Sequence, residues 1–365
     1  MNSNLAVDRR RSEGVYFYWC SGQEDNIGDV ALRRSLYHAL ESQSDELVHI
    51  YVGRSSDSFV ESLELGEKVW LYRSKAAWLQ ALIRSEKSPT IIFDPGEMRL
   101  DESLVSQLAL LPFQAFSCLR GGRSVKLGIS VRTDLASSPA ARGVFRVSTR
   151  LASSVVWRDV TSARSFGGGT VGCDWAFAES DPSLWREDED GSRTIFAVCA
   201  RNDRPLWSPL TVDAIADFCA THGLRPVVFV QVRRDNERAK ALAGMLGADL
   251  VDWPEDVGHR EQEATVRELM RHSVAVAGDR LHALIIGAGQ GAVPIGLTDK
   301  NDSKISGHLD AIGLFGFSRV TSELTKRDLQ EFLAWATASR STVAAAMSRT
   351  TGTVAEMASL LAGAK

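Results

Sequence analysis

The sequence predicts an α/β protein of two lobes facing across a cleft, with helices at its C-terminus. Three observations carry this. Short runs rich in Val, Ile and Phe alternate with longer helical patterns, as in parallel βαβ units. The alternation breaks once, at the acidic stretch AESDPSLWREDEDGSR (178–193), and then restarts. The length of 365 residues exceeds what one hydrophobic core usually serves.

Taken in order, MNSNLAVDRRRSEG is polar, has no apolar segment behind its arginines, and reads as a disordered lead-in over residues 1–13. VYFYWC (15–20), ELVHIYV (46–52), KVWLYR (68–73), TIIFD (90–94), SVKLGISV (124–131) and SSVVWR (153–158) read as strands of a first lobe, residues 14–180. Helical stretches such as VALRRSLYHALES (30–42) and AAWLQALIRSE (76–86) lie between them. A linker covers 181–193, and a second lobe covers 194–322. Its strands are TIFAVCA (194–200), PVVFVQV (226–232), ADLVDW (248–253), HSVAVAG (272–278) and AVPIGL (292–297). LTVDAIADFCATHG (210–223) and NERAKALAGMLG (236–247) read as helices closed by glycine. Residues 323–365 are Ala-rich, amphipathic and helical.

Composition narrows the function classes. Charged residues make up 24% and the net charge is −4, so the whole protein has no electrostatic pull toward nucleic acid or anionic lipid. Any phosphate recognition must come from a local cluster. The five cysteines, Cys20, Cys118, Cys173, Cys199 and Cys219, are scattered and form no CxxC pair. They argue for a reducing compartment and against both a disulfide framework and a structural zinc site. No run of apolar residues is long enough to span a bilayer.

Ligands of open α/β sheets bind beyond the carboxyl ends of the strands. The loops leaving those ends are therefore the places to look. In CSGQEDNIGDVAL (20–32), Asn26, Gly28 and Asp29 form a turn into a helix, with Asp29 expected as its N-cap. The exposed N–H groups of that turn suit an anion or a sugar hydroxyl; a plain capped turn explains the same residues. FDPGEMRLDES (93–103) brings Gly96, Glu97, Arg99 and Asp101 toward the cleft, or is a turn with solvated charges. In WRDVTSARSFGGGTVGCDWAFA (157–178), Ser162 is expected to cap a short helix and the triple glycine to make a turn. Asp174, among apolar neighbours, needs an arginine or backbone donors as partners.

Arg201 leaves the first strand of the second lobe. Its planar guanidinium suits a carboxylate or phosphate fork, or an inter-lobe salt bridge. GDRLHALIIGAG (278–289) follows another strand. Asp279 is expected to cap its helix, and Arg280 and His282 can both reach an anion held at the free N–H groups. His282 has the chemistry of a general acid or base. In LTDKNDSKISGHLDAIGL (297–314), Lys300 and Lys304 add positive charge near a strand end. A helix is expected from Ser306 or Gly307, with His308 on its face.

These loops, in this order, resemble the polysaccharide pyruvyltransferase family over about Val15 to Leu314. NIGDVAL is similar to its Asn-x-Gly-Asp turn, WRDVTS to its Arg-Asp-x-x-Ser element, and VGCDWAFA to its Asp-x-x-Phe segment. GDRLHALIIGAGQGAVPIGL is similar to its Arg-Leu-His-Ala-Leu-Ile block and the strand after it. The chain departs from the family where a glycine cluster is reduced to Asp94-Pro95-Gly96-Glu97, and where SVRTD replaces a glycine pair.

The resemblance implies two Rossmann-like lobes, GT-B-like in arrangement. It implies transfer of a pyruvyl group from phosphoenolpyruvate onto two hydroxyls of one saccharide, giving a cyclic ketal in cell-surface or exopolysaccharide biosynthesis. No metal and no organic cofactor are implied. The implied donor side is Arg201, Arg280, Leu281, His282 and Lys304, with His282 and Arg280 catalytic. Asn26, Gly28, Asp29, Gly96 and Glu97 form the acceptor side, with Asp29 and Glu97 as candidate bases. His282 either moves a proton or bonds the departing phosphate. The implied location is cytoplasmic, with an acceptor that can be lipid-linked and at most peripheral membrane association. Two other readings stay open: a nucleotide-sugar glycosyltransferase, and a non-catalytic saccharide- or anion-binding relative.

Overall fold

The computed structural model describes residues 14–132, 137–185, 192–300 and 303–363; the expected lead-in and part of the linker lie outside them. The first lobe runs β1 (Gly14–Trp19), α1 (Ile27–Gln43), β2 (Val48–Tyr51), α2 (Asp57–Glu61), β3 (Val69–Tyr72), α3 (Lys75–Arg84), β4 (Ser88–Ile92). It continues through β5 (Gly96–Met98), α4 (Leu100–Leu119), β6 (Arg123–Val131), α5 (Pro139–Arg150), β7 (Ser154–Trp157), α6 (Val160–Phe166) and β8 (Thr170–Val171). The second lobe runs β9 (Ile195–Cys199), α7 (Pro209–Thr221), β10 (Arg225–Phe229), α8 (Asn236–Leu246), β11 (Asp249–Val251), α9 (His259–Arg271). It ends with β12 (Ser273–Gly278), α10 (Leu281–Gly289), β13 (Val293–Thr298), α11 (Ser303–Ala311) and β14 (Ser318–Val320). Two helices close the chain, α12 (Lys326–Ala338) and α13 (Arg340–Ala362).

Both sheets are parallel throughout. The first has the order β3-β2-β1-β4-β6-β7-β8, with β5 beside β6; the second has the order β11-β10-β9-β12-β13-β14. Strands such as IFAVC in β9 are buried on both faces, which is why they read as unbroken apolar runs. The first lobe's sheet has α3, α4 and α5 on one face, around Phe17, Trp78, Ile91 and Phe145. Its other face joins a core that continues through the second lobe.

Local chemistry corrects four expectations. Asn26, not Asp29, caps α1: its side chain accepts from the N–H groups of Gly28 and Asp29. Asp159 caps α6, while the Ser162 hydroxyl accepts the N–H of Val131 at 2.9 Å. Asp279 does not cap α10, because its Oδ1 accepts the N–H of Arg201 at 2.8 Å. The helix expected from Ser306 or Gly307 begins at Ser303. The triple glycine does make a turn, with positive φ at Gly167, Gly168 and Gly169.

Ties between the lobes include the following. The Asn26 turn docks on the loop after β10, where Gln231 donates to Asn26 Oδ1 and the N–H of Arg233 to the carbonyl of Asp25 at 2.8 Å. Arg34 of α1 and Arg267 of α9 share Glu263 and Glu179 in a buried ion cluster. Finally, α13 starts where Arg340 donates to Gly291 and Leu184, and it packs along α1. It ends where Arg123 of β6 donates to the carbonyls of Leu360 and Leu361.

Candidate active site

The loops after β1, β4, β7, β9 and β12 line one cavity of about 620 Å³ between the lobes. Its wall carries seven arginines and Lys304 against four carboxylates. A chain of net charge −4 has thus concentrated positive charge in its cleft. Such a surplus in a partly enclosed space attracts anions.

The wall from the second lobe holds Arg201, Arg280, Leu281, His282 and Lys304. The Arg280 guanidinium forks onto Asp235 at 2.6 and 2.7 Å, and Asp235 is buried. Arg201 forks onto Asp203 at 2.6 and 2.8 Å. Its side chain is only 11% exposed, whereas that of Asp203 is 56% exposed. An incoming carboxylate or phosphate can therefore take the place of a solvated aspartate on Arg201. The same substitution at Arg280 would strand a buried charge.

His282 opens α10. Its Nε2 is buried, has no hydrogen-bond partner, and lies 3.5 Å from Asp174 Oδ2. Arg158 donates to Asp174 at 2.5 Å and the N–H of Ala176 at 2.9 Å. Burial works against the charge on Asp174, but Arg158 and His282 outweigh it and hold the carboxyl far below its ordinary range. Asp174 thus has the arginine that its apolar setting demands. Across the lobe boundary Gly28 packs directly on the imidazole. A Cβ there would lie 2.2 Å from His282 Cβ and 2.5 Å from Nδ1. The glycine of the Asn-x-Gly-Asp turn is required by this close approach, not by its backbone angle.

The first lobe supplies three carboxylates of different character. Glu97 meets Lys304 across the cleft at 3.2 Å. Burial raises its pKa, but Lys304, Arg158 and Arg132 pull it down to about 2, so it stays charged. Asp29 is held by Arg33 at 3.2 Å, by the N–H of Gln23 at 2.8 Å and by Asn26 at 3.1 Å. Asp94, at the end of β4, takes Arg33 on Oδ2 at 2.8 Å, while its buried Oδ1 has no partner. Burial raises its pKa to about 7 despite Arg33. A carboxyl that changes charge near neutral pH, with one free oxygen in a cleft, has the properties of an acid–base group.

Of the expected site residues, Asn26, Asp29, Gly96 and Glu97 line the cavity, while Gly28 lies behind it against His282. Sequence reasoning passed over Asp94, Arg33, Arg132 and Arg158, all of which line it. His308, expected on a helix face, is on α11 with its ring buried. His308 Nδ1 donates to the Lys304 carbonyl at 2.6 Å, and its Nε2 has no partner. Burial and Arg158 push its pKa down to about 3, so it stays neutral. The signal for Asp94 was a charge at the carboxyl end of an apolar strand; for His308 it was the four-residue spacing from Lys304 on a helix. No group of side chains with metal-ligand composition occurs among the described residues.

A two-lobed, GT-B-like α/β scaffold with a cationic cleft is the class that this fold and site define. The chain belongs to the polysaccharide pyruvyl transferase family, whose model matches residues 26–301. Similar solved structures include a UDP-GlcNAc 2-epimerase from Neisseria meningitidis bound to UDP-GlcNAc, at 9% identity and TM-score 0.58, covering 92% of this chain and 94% of that one. Anabaena HepE in complex with UDP and glucose is similar at 13% identity and TM-score 0.55, covering 96% and 98%. An O-GlcNAc transferase variant from Thermobaculum terrenum is similar at 13% identity and TM-score 0.50, covering 97% and 66%. At such identities the likeness is one of fold. No curated protein matches the chain by sequence.

Proposed function

We propose that this protein transfers a pyruvyl group from phosphoenolpyruvate to two hydroxyls of one saccharide, releasing phosphate and leaving a cyclic ketal. One observation carries the reading: Arg201, Arg280, His282 and Lys304 line the same wall of a cavity rich in cations. Phosphoenolpyruvate presents a carboxylate and a phosphate a few bonds apart. Its recognition needs two cationic anchors and a proton donor between them.

His282, which lies beside Asp174, gives a proton to the methylene carbon, which becomes the methyl group. Positive charge grows at C2, and a sugar hydroxyl attacks there while losing its proton. The bond from C2 to the phosphate oxygen breaks, and Arg201 and Lys304 stabilise the departing anion. A second hydroxyl then closes the ring and releases a proton. Asp94, whose Oδ1 has no partner, replaces Asp29 and Glu97 as the group that accepts the hydroxyl proton. Phosphoenolpyruvate is a cytosolic metabolite, so the reaction is cytoplasmic.

The competing reading, nucleotide-sugar transfer, draws on the UDP ligands of the structural neighbours. Incubating the protein with phosphoenolpyruvate or with UDP-sugars, in the presence of candidate glycans, separates the two. Phosphate release that depends on both phosphoenolpyruvate and glycan supports the proposal; UDP release refutes it. His282→Ala is expected to lower turnover by about 10²- to 10⁴-fold, the usual contribution of positioned acid–base catalysis.

A further inference from the structure

Helix α4 is apolar on its outward side as well as its inward one. A surface helix normally turns apolar residues inward and charged ones outward. In α4 the inward side joins Leu100 and Leu110, which enter the core, to Gln107, Gln114 and Ser117, all buried. Gln114 donates to Ser124 Oγ at 2.7 Å and to the Ser148 carbonyl at 3.1 Å, and Ser117 to the Arg123 carbonyl at 2.9 Å. The outward side shows Val105, Leu108 and Leu119, which are 78%, 48% and 87% exposed. No charged residue occurs from Ser103 to Leu119. The two acids of the first turn are already engaged, Asp101 by Ser138 and Glu102 by Arg99.

Positive charge flanks this strip. Helix α5 packs beside α4 and exposes Arg146 and Arg150, four residues apart, neither in an ion pair among the described residues. Arg84 at the end of α3 and Arg120 after α4 are exposed as well. Helix α5 carries Arg142, Arg146 and Arg150 and no acidic residue.

We propose that the outer face of α4 and α5 docks the protein on an anionic lipid bilayer. An apolar strip between arginines matches the interface of such a bilayer, where side chains enter the acyl boundary while cations meet headgroup phosphates. A second copy of the chain fits poorly. A two-fold contact would oppose this patch to itself, arginines included, with no free carboxylate to answer them. No described helix is long and apolar enough to cross a membrane, so the contact is a surface one. The patch also adjoins the cleft: Ser103, Ser106 and Gln107 of α4 line the cavity. A saccharide carried on a membrane lipid would thus meet the cleft mouth where the protein rests.

The test is co-sedimentation of the full chain with phosphatidylcholine vesicles, with and without phosphatidylglycerol. Neither donor nor acceptor is present, so the outcome is independent of the proposed reaction. The parent should sediment with the phosphatidylglycerol vesicles only, and less so as salt rises. Arg146→Gln with Arg150→Gln should weaken partitioning by about 30-fold, at roughly 1 kcal/mol per arginine. Val105→Asp with Leu108→Asp should abolish it, with unchanged melting. If the aspartates prevent folding, the glutamine pair alone decides. The proposal is overturned if the parent ignores anionic vesicles, or if the folded variants bind as the parent does. It is equally overturned if the substitutions change the oligomeric state but leave vesicle binding intact.

Discussion

Replacing Gly28 by alanine tests the contact that joins the two lobes at the site. The added methyl would lie 2.2 Å from His282 Cβ and 2.4 Å from Cγ. Carbon atoms rest at about 3.5–4.0 Å, so one side must give way by roughly 1.3 Å or more. Neither side is a flexible chain end, since Gly28 sits in the first turn of α1 and His282 in the first turn of α10. Overpacking of this kind costs about 1–3 kcal/mol. Thermal melting should therefore fall by a few degrees, and chemical denaturation should report the same loss. A catalytic group misplaced by about 1 Å typically loses about 10²-fold in rate. Phosphate release should drop accordingly. Combining Gly28→Ala with His282→Gly removes both the ring and its Cβ, so the double variant should be more stable than the two single losses sum to. A Gly28→Ala protein with the parent's melting temperature and turnover would show that the imidazole is not seated against this turn.

Three further outcomes follow from buried charge. Asp94 has its pKa raised from 3.8 to about 7. Between those values the folded state holds a proton that the unfolded state has lost, so this contribution to stability is full below about pH 4 and vanishes as pH rises through 7. Asp94→Asn mimics the protonated form, and its stability advantage over the parent in urea titrations should grow from pH 4 to 7; a constant difference refutes the assignment. Lys126 is buried without a hydrogen-bond partner, its Nζ 3.6 Å from the Phe93 ring centroid, and burial lowers its pKa from 10.5 to about 7. Lys126→Met should raise the melting temperature at pH 7, with a gain that shrinks toward pH 10, where the unfolded lysine also nears neutrality. Glu263→Gln leaves Arg34 and Arg267 with Glu179 alone in the buried cluster. A loss of about 3–5 kcal/mol is expected by denaturant titration.

Strand positions were legible because strands buried on both faces leave unbroken apolar runs, as in β9 and β12. The roles of polar residues were less so, because their partners come from far along the chain. Asp279 has the composition of a helix cap, yet it serves the N–H of Arg201, 78 residues away. Arg280 was readable as a fork, but not that Asp235 already fills it. Asn26 and Asp29 are both good caps, and docking of Gln231 on Asn26 accompanies the choice of the first. His308 reads as a helix-face residue, and what buries that face, the packing of α11 against α6 of the other lobe, comes from far along the chain. Helix α4 went unassigned because its outward side is as apolar as its inward one, which erases the periodicity that marks amphipathic helices.

The path of α13 limits how the molecule can breathe. It begins on carbonyls at the edge of the second lobe and finishes on an arginine of the first. Drawing the lobes straight apart would tear one end of this helix loose, whereas swinging them about an axis near its length leaves both ends attached. Substrate entry should therefore be a hinge motion, and shortening the chain before Leu360 should loosen that hinge without touching any group in the cleft.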